Sequence, residues 1–215
     1  MNISEQYFKH SEVKRYANRY KGKSFNILEY IYFNYRLKMI SKNVGDLDSK
    51  TVVDIGCGTG DLLEAILKKG FKTKLFTGMD YSNAMLIFCK ERLKGVDFIR
   101  ADAQELPYKD KTFDIVFSAG VFPYLREPQK AILEIYRVLK PGGSCFLTYP
   151  YKKTMLSFFR TNYFGLWIRK NILKIAFYEV KYEKNELLCS LRAIGFCIEK
   201  EFRLLLSEYL LVIRK

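Results

Sequence analysis

The sequence predicts an α/β fold with a mostly parallel sheet and one antiparallel strand near the C-terminal edge of that sheet. Between residues 51 and 149, short β-rich runs alternate with helical patterns, which is typical of parallel strands joined by helices. Near the C-terminus, the runs at 196–203 and 208–213 are separated by only a few residues. So short a link permits only an antiparallel hairpin.

Each element of the predicted sheet follows from a local pattern. Runs rich in valine, isoleucine and phenylalanine predict strands, whereas apolar residues spaced three and four apart predict helices. Helix limits come from a cap at Ser82 or Asn83, a proline at position 128 and glycine stops at Gly70 and Gly195. The predicted strands are 51–55, 75–79, 96–100, 113–118 and 143–149, and the predicted helices are 61–69, 83–93, 128–139 and 183–193.

Two regions lie outside this alternation. Residues 4–43 predict helices with an apolar and aromatic stripe, and residues 151–178 predict a helical insertion after the fifth strand. We therefore expect an N-terminal helical cap at 1–50 and one domain at 51–215 that contains the insertion. The stripe consists of Phe25, Leu28, Ile31, Tyr32 and Tyr35.

The composition narrows the class of protein. Apolar residues make up 49% and charged residues 28% of the 215, which fits a chain that buries a core and excludes a disordered or collagen-like one. No apolar run reaches the roughly 18 residues of a membrane span, and the first residues lack the basic-then-apolar pattern of a secretion signal. The five cysteines are scattered without a C-x-x-C pair, so we expect no disulfide framework and no metal site, and a cytoplasmic location.

The positive charge is concentrated at the two ends of the chain. The net charge is +14, and basic and acidic residues number 10 and 5 in 1–50, 14 and 12 in 51–150, and 13 and 6 in 151–215. Residues 151–178 hold six basic residues, eight aromatic ones and no acidic one. Such a surface attracts nucleic acid, acidic lipid or phosphorylated metabolites, but general solubility explains it equally well.

The sharpest motif is a strand that runs into three glycines at alternate positions and then into a helix. After Asp54 come Gly56, Gly58 and Gly60. Such a turn lets a ligand approach the backbone closely and leaves free N–H groups at the start of the helix. It is not the dinucleotide fingerprint G-x-G-x-x-G, which needs a glycine where Asp61 stands. The turn suits a nucleoside with a charged amino-acid end and no phosphates.

Two further acidic residues follow the next two strands. Asp80 ends the second strand and Asp102 follows the third. All three acids therefore fall at the carboxyl ends of parallel strands, where open α/β sheets bind ligands. Asp80 is placed to accept hydrogen bonds from both hydroxyls of a ribose, and Asp102 to accept one from an adenine amine.

With these motifs the chain resembles the class I S-adenosylmethionine-dependent methyltransferases, most clearly over residues 51–150. Further similarity lies in Leu106-Pro107…Phe113-Asp114 and in Leu139-Lys140-Pro141-Gly142-Gly143. The resemblance implies a Rossmann-like seven-stranded sheet with an antiparallel C-terminal hairpin, and S-adenosylmethionine as the cofactor. The cofactor-binding residues that it implies are Asp54, Gly56, Cys57, Gly58, Gly60, Asp80, Tyr81, Met85, Asp102, Ala103 and Ala119.

The loop after strand four departs from the family pattern. Many members that methylate small molecules carry a histidine there, whereas this chain has Phe122-Pro123-Tyr124 and a single histidine, His10. His10 and Tyr124 are weak candidates for a catalytic role, and a surface position and packing explain them as well. The loop is also similar to the Asp/Asn-Pro-Pro-Tyr signature of nucleic-acid amino methyltransferases, but Val121 and Phe122 replace its first two residues.

In this family the N-terminal helices and the insertion after strand five usually build the acceptor site. Both segments are basic and aromatic here. We favour a small lipophilic or aromatic acceptor, and peripheral contact with an acidic membrane surface is one route by which such an acceptor can reach the site. RNA or protein methylation is a second interpretation, a cofactor-binding scaffold without turnover is a third, and the segments can also serve only as core and solvated surface.

Overall fold

The computed structural model describes residues 27–150, 183–204 and 208–215, together with Val13. The predicted insertion at 151–178, His10 and most of the predicted cap before residue 27 lie outside the described residues. In chain order the elements are α1 (Ile27–Asn43), β1 (Thr51–Ile55), α2 (Asp61–Leu67), β2 (Leu75–Asp80), α3 (Asn83–Arg92), β3 (Asp97–Arg100), β4 (Phe113–Ser118), a 3₁₀ turn (Phe122–Tyr124), α4 (Pro128–Val138), β5 (Leu139–Pro150), α5 (Lys184–Ile194), β6 (Cys197–Leu204) and β7 (Glu208–Arg214).

The seven strands form one sheet in the order β3-β2-β1-β4-β5-β7-β6. β1 to β5 pair in parallel, and β7 is antiparallel to both β5 and β6. The predicted fold class is confirmed, including the single antiparallel strand near the C-terminal edge. Because the strand order reverses between β1 and β4, a crevice opens there at the carboxyl ends of the strands.

Helices cover both faces of the sheet, which explains why β1 is buried along its whole length. On one face, Ile132 and Ile135 of α4 and Leu191 of α5 belong to an apolar cluster with Val53 and Ile55 of β1. On the other face, a second cluster joins α1, α2 and α3 to the opposite side of the sheet; its members include Ile40, Leu63, Ile66, Leu86, Cys89, Val52 and Phe117. The two layers of helices bury both faces of the sheet, and the crevice lies at the carboxyl edge of that sheet.

Two local predictions differ from the structure. β5 begins at Leu139 rather than 143, and its pairing with β4 slips between Phe113↔Leu139 and Ile115↔Ser144, so the Lys-Pro-Gly-Gly segment is a bulge inside the strand. In the predicted stripe on the first helix, Ile31 is 46% exposed, whereas Tyr32 and Tyr35 are half-buried. Phe33 and Ile40, which were not part of the predicted stripe, are buried. In the described part of the chain, no helix is long and apolar enough to cross a bilayer.

Candidate functional site

A cleft of about 740 Å³ lies at the carboxyl ends of β1 to β4. The described residues that line it are Gly56, Gly58, Asp80, Tyr81, Met85, Ala101, Asp102, Ala103, Gln104, Ala119, Gly120, Val121, Tyr124 and Leu125. The structure thus brings together residues from four strand ends that the sequence predicted as one site.

The turn after β1 presents its backbone to the cleft. The N–H groups of Gly56 and Cys57 donate to the carbonyl of Met79 at 2.7 and 2.9 Å, which ties the turn to the end of β2. Gly56 has a φ of 71°, and a Cβ added to it would lie 2.3 Å from Cγ2 of Val121. Only glycine fits, because both the backbone angle and the space exclude a side chain.

Gly60 has a different place from the other two glycines of the turn. It precedes α2 at a φ of 76°, and an added Cβ would lie 2.7 Å from Cδ1 of Leu93 and 3.0 Å from Sγ of Cys89. It is absent from the described lining of the cleft and of the smaller cavity next to it. The geometry therefore gives Gly60 a packing role between α2 and α3, and its predicted contact with a cofactor stays a prediction.

Asp80 links the turn to the second strand. Its Oδ2 accepts from the N–H of Gly58 at 2.9 Å and its Oδ1 accepts from the N–H of Ser82 at 2.8 Å. Burial raises the pKa of this carboxyl above its ordinary value, although these backbone hydrogen bonds oppose the shift. Each carboxylate oxygen has a second lone pair, so two ligand hydroxyls can donate to Asp80 while the turn stays bound.

Asp102 is held by a neighbour that the sequence did not single out. Its Oδ1 accepts from the backbone N–H of Gln104 at 2.9 Å and from the side-chain Nε2 at 3.0 Å. The Gln104 Oε1 accepts in turn from the N–H of Glu127 at 2.6 Å. Gln104 therefore fixes the acid to the start of α4. Met85, which is buried, and Ala103 supply apolar surface to the same part of the cleft.

A smaller cavity of about 350 Å³ adjoins the cleft, and Gly56, Gly58 and Ala119 line both. Asp54 and Arg36 lie in its wall, as does Cys57. Burial, and then the nearby Asp80, raise the pKa of Asp54 well above its ordinary value, and Arg36 opposes them. In the described part of the chain, no hydrogen bond to the Asp54 carboxylate is found, so this buried acid has acceptor capacity left for a ligand.

A buried polar network joins this cavity to β5 and β7. Nη1 of Arg36 lies 3.7 Å from Oε1 of Glu208. The hydroxyl of Thr148 donates to the same oxygen at 2.7 Å, and the N–H of Gly120 donates to Thr148 Oγ1 at 2.8 Å. The hydroxyl of Tyr32 donates to the other oxygen of Glu208. Neither Arg36 nor Glu208 was predicted from the sequence.

Of the two weak catalytic candidates, Tyr124 lines the cleft at the end of the 3₁₀ turn. It is half-buried. Its predicted role in orienting an acceptor stays a prediction. His10 lies outside the described residues. Among the residues that the structure describes, no group of three His, Cys, Asp or Glu side chains is arranged to hold a metal ion.

Solved structures that share this fold include proteins described as methyltransferases and one described as a cyclase. The chain superposes on a SAM-dependent methyltransferase from Aquifex aeolicus with a TM-score of 0.68 and 21% identity, covering 96% of this chain and 98% of that one. It also superposes on a [4+2]-cyclase named SpnF with a TM-score of 0.66 and 22% identity, covering 83% and 79% of the two chains. These likenesses define the class I methyltransferase fold and not a reaction, because one fold carries many chemistries.

The sequence comparisons find similarity to methyltransferases. Residues 53–147 match the family model of a methyltransferase domain. The chain is 34% identical over 110 residues to a ubiquinone/menaquinone biosynthesis C-methyltransferase from Desulfotalea psychrophila, which covers 50% of this chain and 44% of the relative. It is 36% identical over 103 residues to a phthiotriol/phenolphthiotriol dimycocerosates methyltransferase from Mycobacterium tuberculosis, which covers 46% and 37%. The chain spans less than half the length of these two relatives, and its similarity to a methyltransferase domain lies in residues 53–147.

The residues present fit S-adenosylmethionine, the cofactor that the similarity to SAM-dependent methyltransferases implies. Asp80 has lone pairs for two ribose hydroxyls, and the glycine at position 56 keeps the turn free of side chains. The smaller cavity offers an acid and a cation, Asp54 and Arg36, to an amino-acid group. A cleft beside Met85 and Ala103 is suited to a flat apolar ring.

Proposed function

We propose that the chain transfers a methyl group from S-adenosylmethionine to a small lipophilic acceptor. One observation carries this proposal: two cavities adjoin at the carboxyl edge of the sheet, and Asp80 lines the larger one and Asp54 the smaller one. That arrangement matches a ligand with a ribose at one end of a short link and an ammonium at the other.

The residues of the chain bind and orient, and the cofactor supplies the chemistry. When bound, S-adenosylmethionine provides a methyl group already activated on a sulfonium. Asp80 would hold the ribose, Met85 and Ala103 would border the adenine, and Asp54 would face the ammonium. Holding an acceptor in line with the methyl group can supply effective molarities of roughly 10⁵–10⁸ M. The reaction therefore depends mainly on positioning, and less on proton transfer by a side chain.

The lipophilic acceptor is supported by the names of the relatives and by the composition of two segments. The relatives are described as methyltransferases of ubiquinone/menaquinone biosynthesis, of phthiotriol dimycocerosates and of fatty acids. Residues 1–50 and 151–178 are rich in aromatic side chains, which suit an apolar pocket. Because the matches cover mainly the cofactor-binding half, the individual acceptor is not part of the proposal.

Contact with an acidic membrane surface and a cytoplasmic location belong to the same proposal. The basic segment at 151–178, which motivates the membrane contact, lies outside the described residues. Each Lys or Arg close to an anionic surface adds about 1 kcal/mol of attraction. Co-sedimentation with phosphatidylserine vesicles at low and high salt tests this part, and no binding at low salt would contradict it.

The test of the main proposal is a transfer screen with S-adenosylmethionine labelled on its methyl group. The protein is incubated with the organic-soluble, aqueous, RNA and protein fractions of a cell extract, and the Asp80→Ala variant serves as the control. We expect label in the organic-soluble fraction only, and only with the parent protein. Label in RNA or protein would replace the proposed acceptor, and absence of label in every fraction with intact cofactor binding would favour a scaffold without turnover.

A further inference from the structure

The helix after β2 contacts the glycine turn through two of its side chains. α3 follows β2 closely and ends at Arg92. The thiol of Cys89 donates to the carbonyl of Gly58 at 3.1 Å, and Nη1 of Arg92 donates to the carbonyl of Thr59. Two successive peptide groups of the turn are therefore held by side chains that are absent from the described lining of both cavities.

Gly58, the central glycine of the turn, is held from both sides. Its N–H donates to Oδ2 of Asp80 at 2.9 Å, while its carbonyl accepts from Cys89. A planar trans peptide points its N–H opposite to its carbonyl, so the bond from Cys89 also directs the N–H of Thr59 away from α3. Because Gly58 lines both cavities, rotation of its peptide groups would change the shape of the site.

Arg92 is compensated by two acids in the first turn of α2. Its Nη2 lies 2.5 Å from Oε2 of Glu64 and 3.5 Å from Oδ1 of Asp61. The guanidinium carbon lies 5.2 Å from the ring centroid of Phe88, and the side chain is 17% exposed. A guanidinium presents its donors in a planar fork, so these partners fix the direction in which Nη1 reaches Thr59.

A second arginine makes the same kind of contacts away from the cavities. Arg137 donates to the carbonyls of Leu106 and Tyr108 at 3.0 and 2.7 Å. Its guanidinium also pairs with Glu134. Neither Leu106 nor Tyr108 is among the described residues that line the two cavities. The chain thus offers a matched pair of arginines, of which only Arg92 holds backbone at the candidate site.

We propose that Arg92 and Cys89 are positioning residues of the cofactor site, which hold the glycine turn in the conformation that binds S-adenosylmethionine. This inference rests on the proposed function, because it concerns the same site. Both side chains act through the carbonyls of the turn rather than by touching the ligand. Without them the turn of the free protein samples other conformations, and the apparent affinity falls with the fraction of protein that holds the binding one.

The first test is calorimetry with S-adenosylhomocysteine, which needs no acceptor. Arg92→Met removes the donor to the Thr59 carbonyl, and we expect the affinity to fall about 10-fold. Arg92→Lys keeps a charged donor and should restore most of the affinity. Arg137→Met is the matched control: it should lose stability in urea unfolding as Arg92→Met does, but bind as the parent protein does.

The second test is amide hydrogen exchange, which follows the turn itself. The N–H of Gly58 is bonded to Asp80 and that of Gly60 to the carbonyl of Cys57. By NMR of the free protein, we expect Arg92→Met to speed the exchange of these two amides about 10-fold, and saturation with S-adenosylhomocysteine to remove the difference. A general loss of stability would speed them equally in Arg137→Met.

The contribution of Cys89 is measured with two small substitutions. Cys89→Ser keeps a donor to the Gly58 carbonyl and should stay within about twofold of the parent affinity. Cys89→Ala removes the donor and should weaken S-adenosylhomocysteine about three- to fivefold. Equal affinities of the two variants would show that Cys89 only fills space.

The inference and the proposed function fail in different ways. A parent protein that does not bind S-adenosylhomocysteine would overturn the proposed function itself. A parent protein that binds, with equal affinities in Arg92→Met and Arg137→Met, would overturn the positioning role of Arg92 alone. If Arg92→Met does not fold, the comparison of Cys89→Ala with Cys89→Ser decides whether contacts from α3 to the turn set the affinity.

Discussion

Aspartates at the two edges of the same sheet have opposite electrostatic surroundings. At the carboxyl edge, burial raises the pKa of Asp54 and of Asp80. At the amino edge, burial also acts on Asp114, but hydrogen bonds from Lys140 and Thr51 outweigh it and lower the pKa to about 2. The Lys140 ammonium lies 2.7 Å from the Asp114 carboxylate.

The difference agrees with the proposed function, in which Asp114 stabilises the fold and Asp54 and Asp80 bind the cofactor. Asp114 has its partners within the chain, because Thr51 donates to it from both its N–H and its hydroxyl, at 2.9 and 2.7 Å. Asp54 and Asp80 are buried without a comparable cation hydrogen-bonded to them in the described structure. Such uncompensated acids lower stability and are retained where a function requires them.

The largest expected effect is on cofactor affinity at Asp80. Asp80→Ala removes the carboxylate that is proposed to accept from two ribose hydroxyls, and it also removes the acceptor of the Gly58 N–H. We therefore expect the affinity for S-adenosylmethionine to fall about 100-fold or more. Isothermal titration calorimetry measures the loss, and circular dichroism checks that the fold survives. Asp114→Asn, an acid at the opposite edge, is the matched control and should bind as the parent does; equal losses in both variants would remove the distinction between the edges.

Asp54→Asn should change affinity and stability in opposite directions. Because burial raises the pKa of Asp54 in the folded state, the ionised form destabilises the fold, and this cost appears as the pH rises above the ordinary value of 3.8. Removing the charge should stabilise the free protein by about 1 kcal/mol at pH 7 and weaken S-adenosylmethionine about tenfold. Urea unfolding and calorimetry measure the two quantities, and a loss of stability at neutral pH would show that the acid is compensated after all.

Asp114→Asn should show the reverse of that stability effect. The pKa of Asp114 is lower in the folded protein than its ordinary value of 3.8. Its ionised form therefore stabilises the fold above pH 3.8, and this stability is lost as the pH falls toward about 2. We expect the variant to be about 1 kcal/mol less stable than the parent at pH 7, with the gap closing in acid. Urea unfolding at pH 7, 4 and 2.5 follows the gap, and a constant difference at every pH would contradict the ion-pair explanation.

The smallest expected effect is a proton released on cofactor binding. An ammonium beside Asp54 favours its ionised form, so binding lowers its raised pKa, and affinity should increase with pH through the window above 3.8 until Asp54 is ionised in the free protein as well. The change for one proton is at most about tenfold per pH unit. Calorimetry in two buffers of different ionisation enthalpy measures the release; no release in this window, or the same release from Asp54→Asn, would assign the proton elsewhere.

The strands and the predicted acids of the site could be found from the sequence because their signals are local. Asp54, Asp80 and Asp102 stand at or directly after strands that apolar runs make visible, and parallel strands bring their carboxyl ends together by topology alone. The bulge in β5 was missed because Pro141, Gly142 and Gly143 have the composition of a turn between elements, although the structure includes them in a strand.

Arg36 and Glu208 could not be found in this way, since their meeting depends on packing between α1 and β7. The one local signal is an arginine three and four positions after Phe33 and Tyr32 in an aromatic helix, which is the spacing of side chains that share a face. The exposure of Ile31 has a related cause. Aromatic and apolar residues occur on all sides of α1, so their spacing alone did not identify Phe33 and Ile40, rather than Ile31, as the buried residues.

The hydrogen bond between Tyr32 and Glu208 joins positions 176 residues apart, which has a consequence for the nascent chain. A ribosome releases α1 early and the start of β7 near the end of this sequence, and domains fold as their elements become available. The contact between Arg36 and Glu208 therefore forms only after the start of β7 has been synthesised. A polypeptide whose translation stops before Glu208 contains the glycine turn but lacks this contact of the guanidinium.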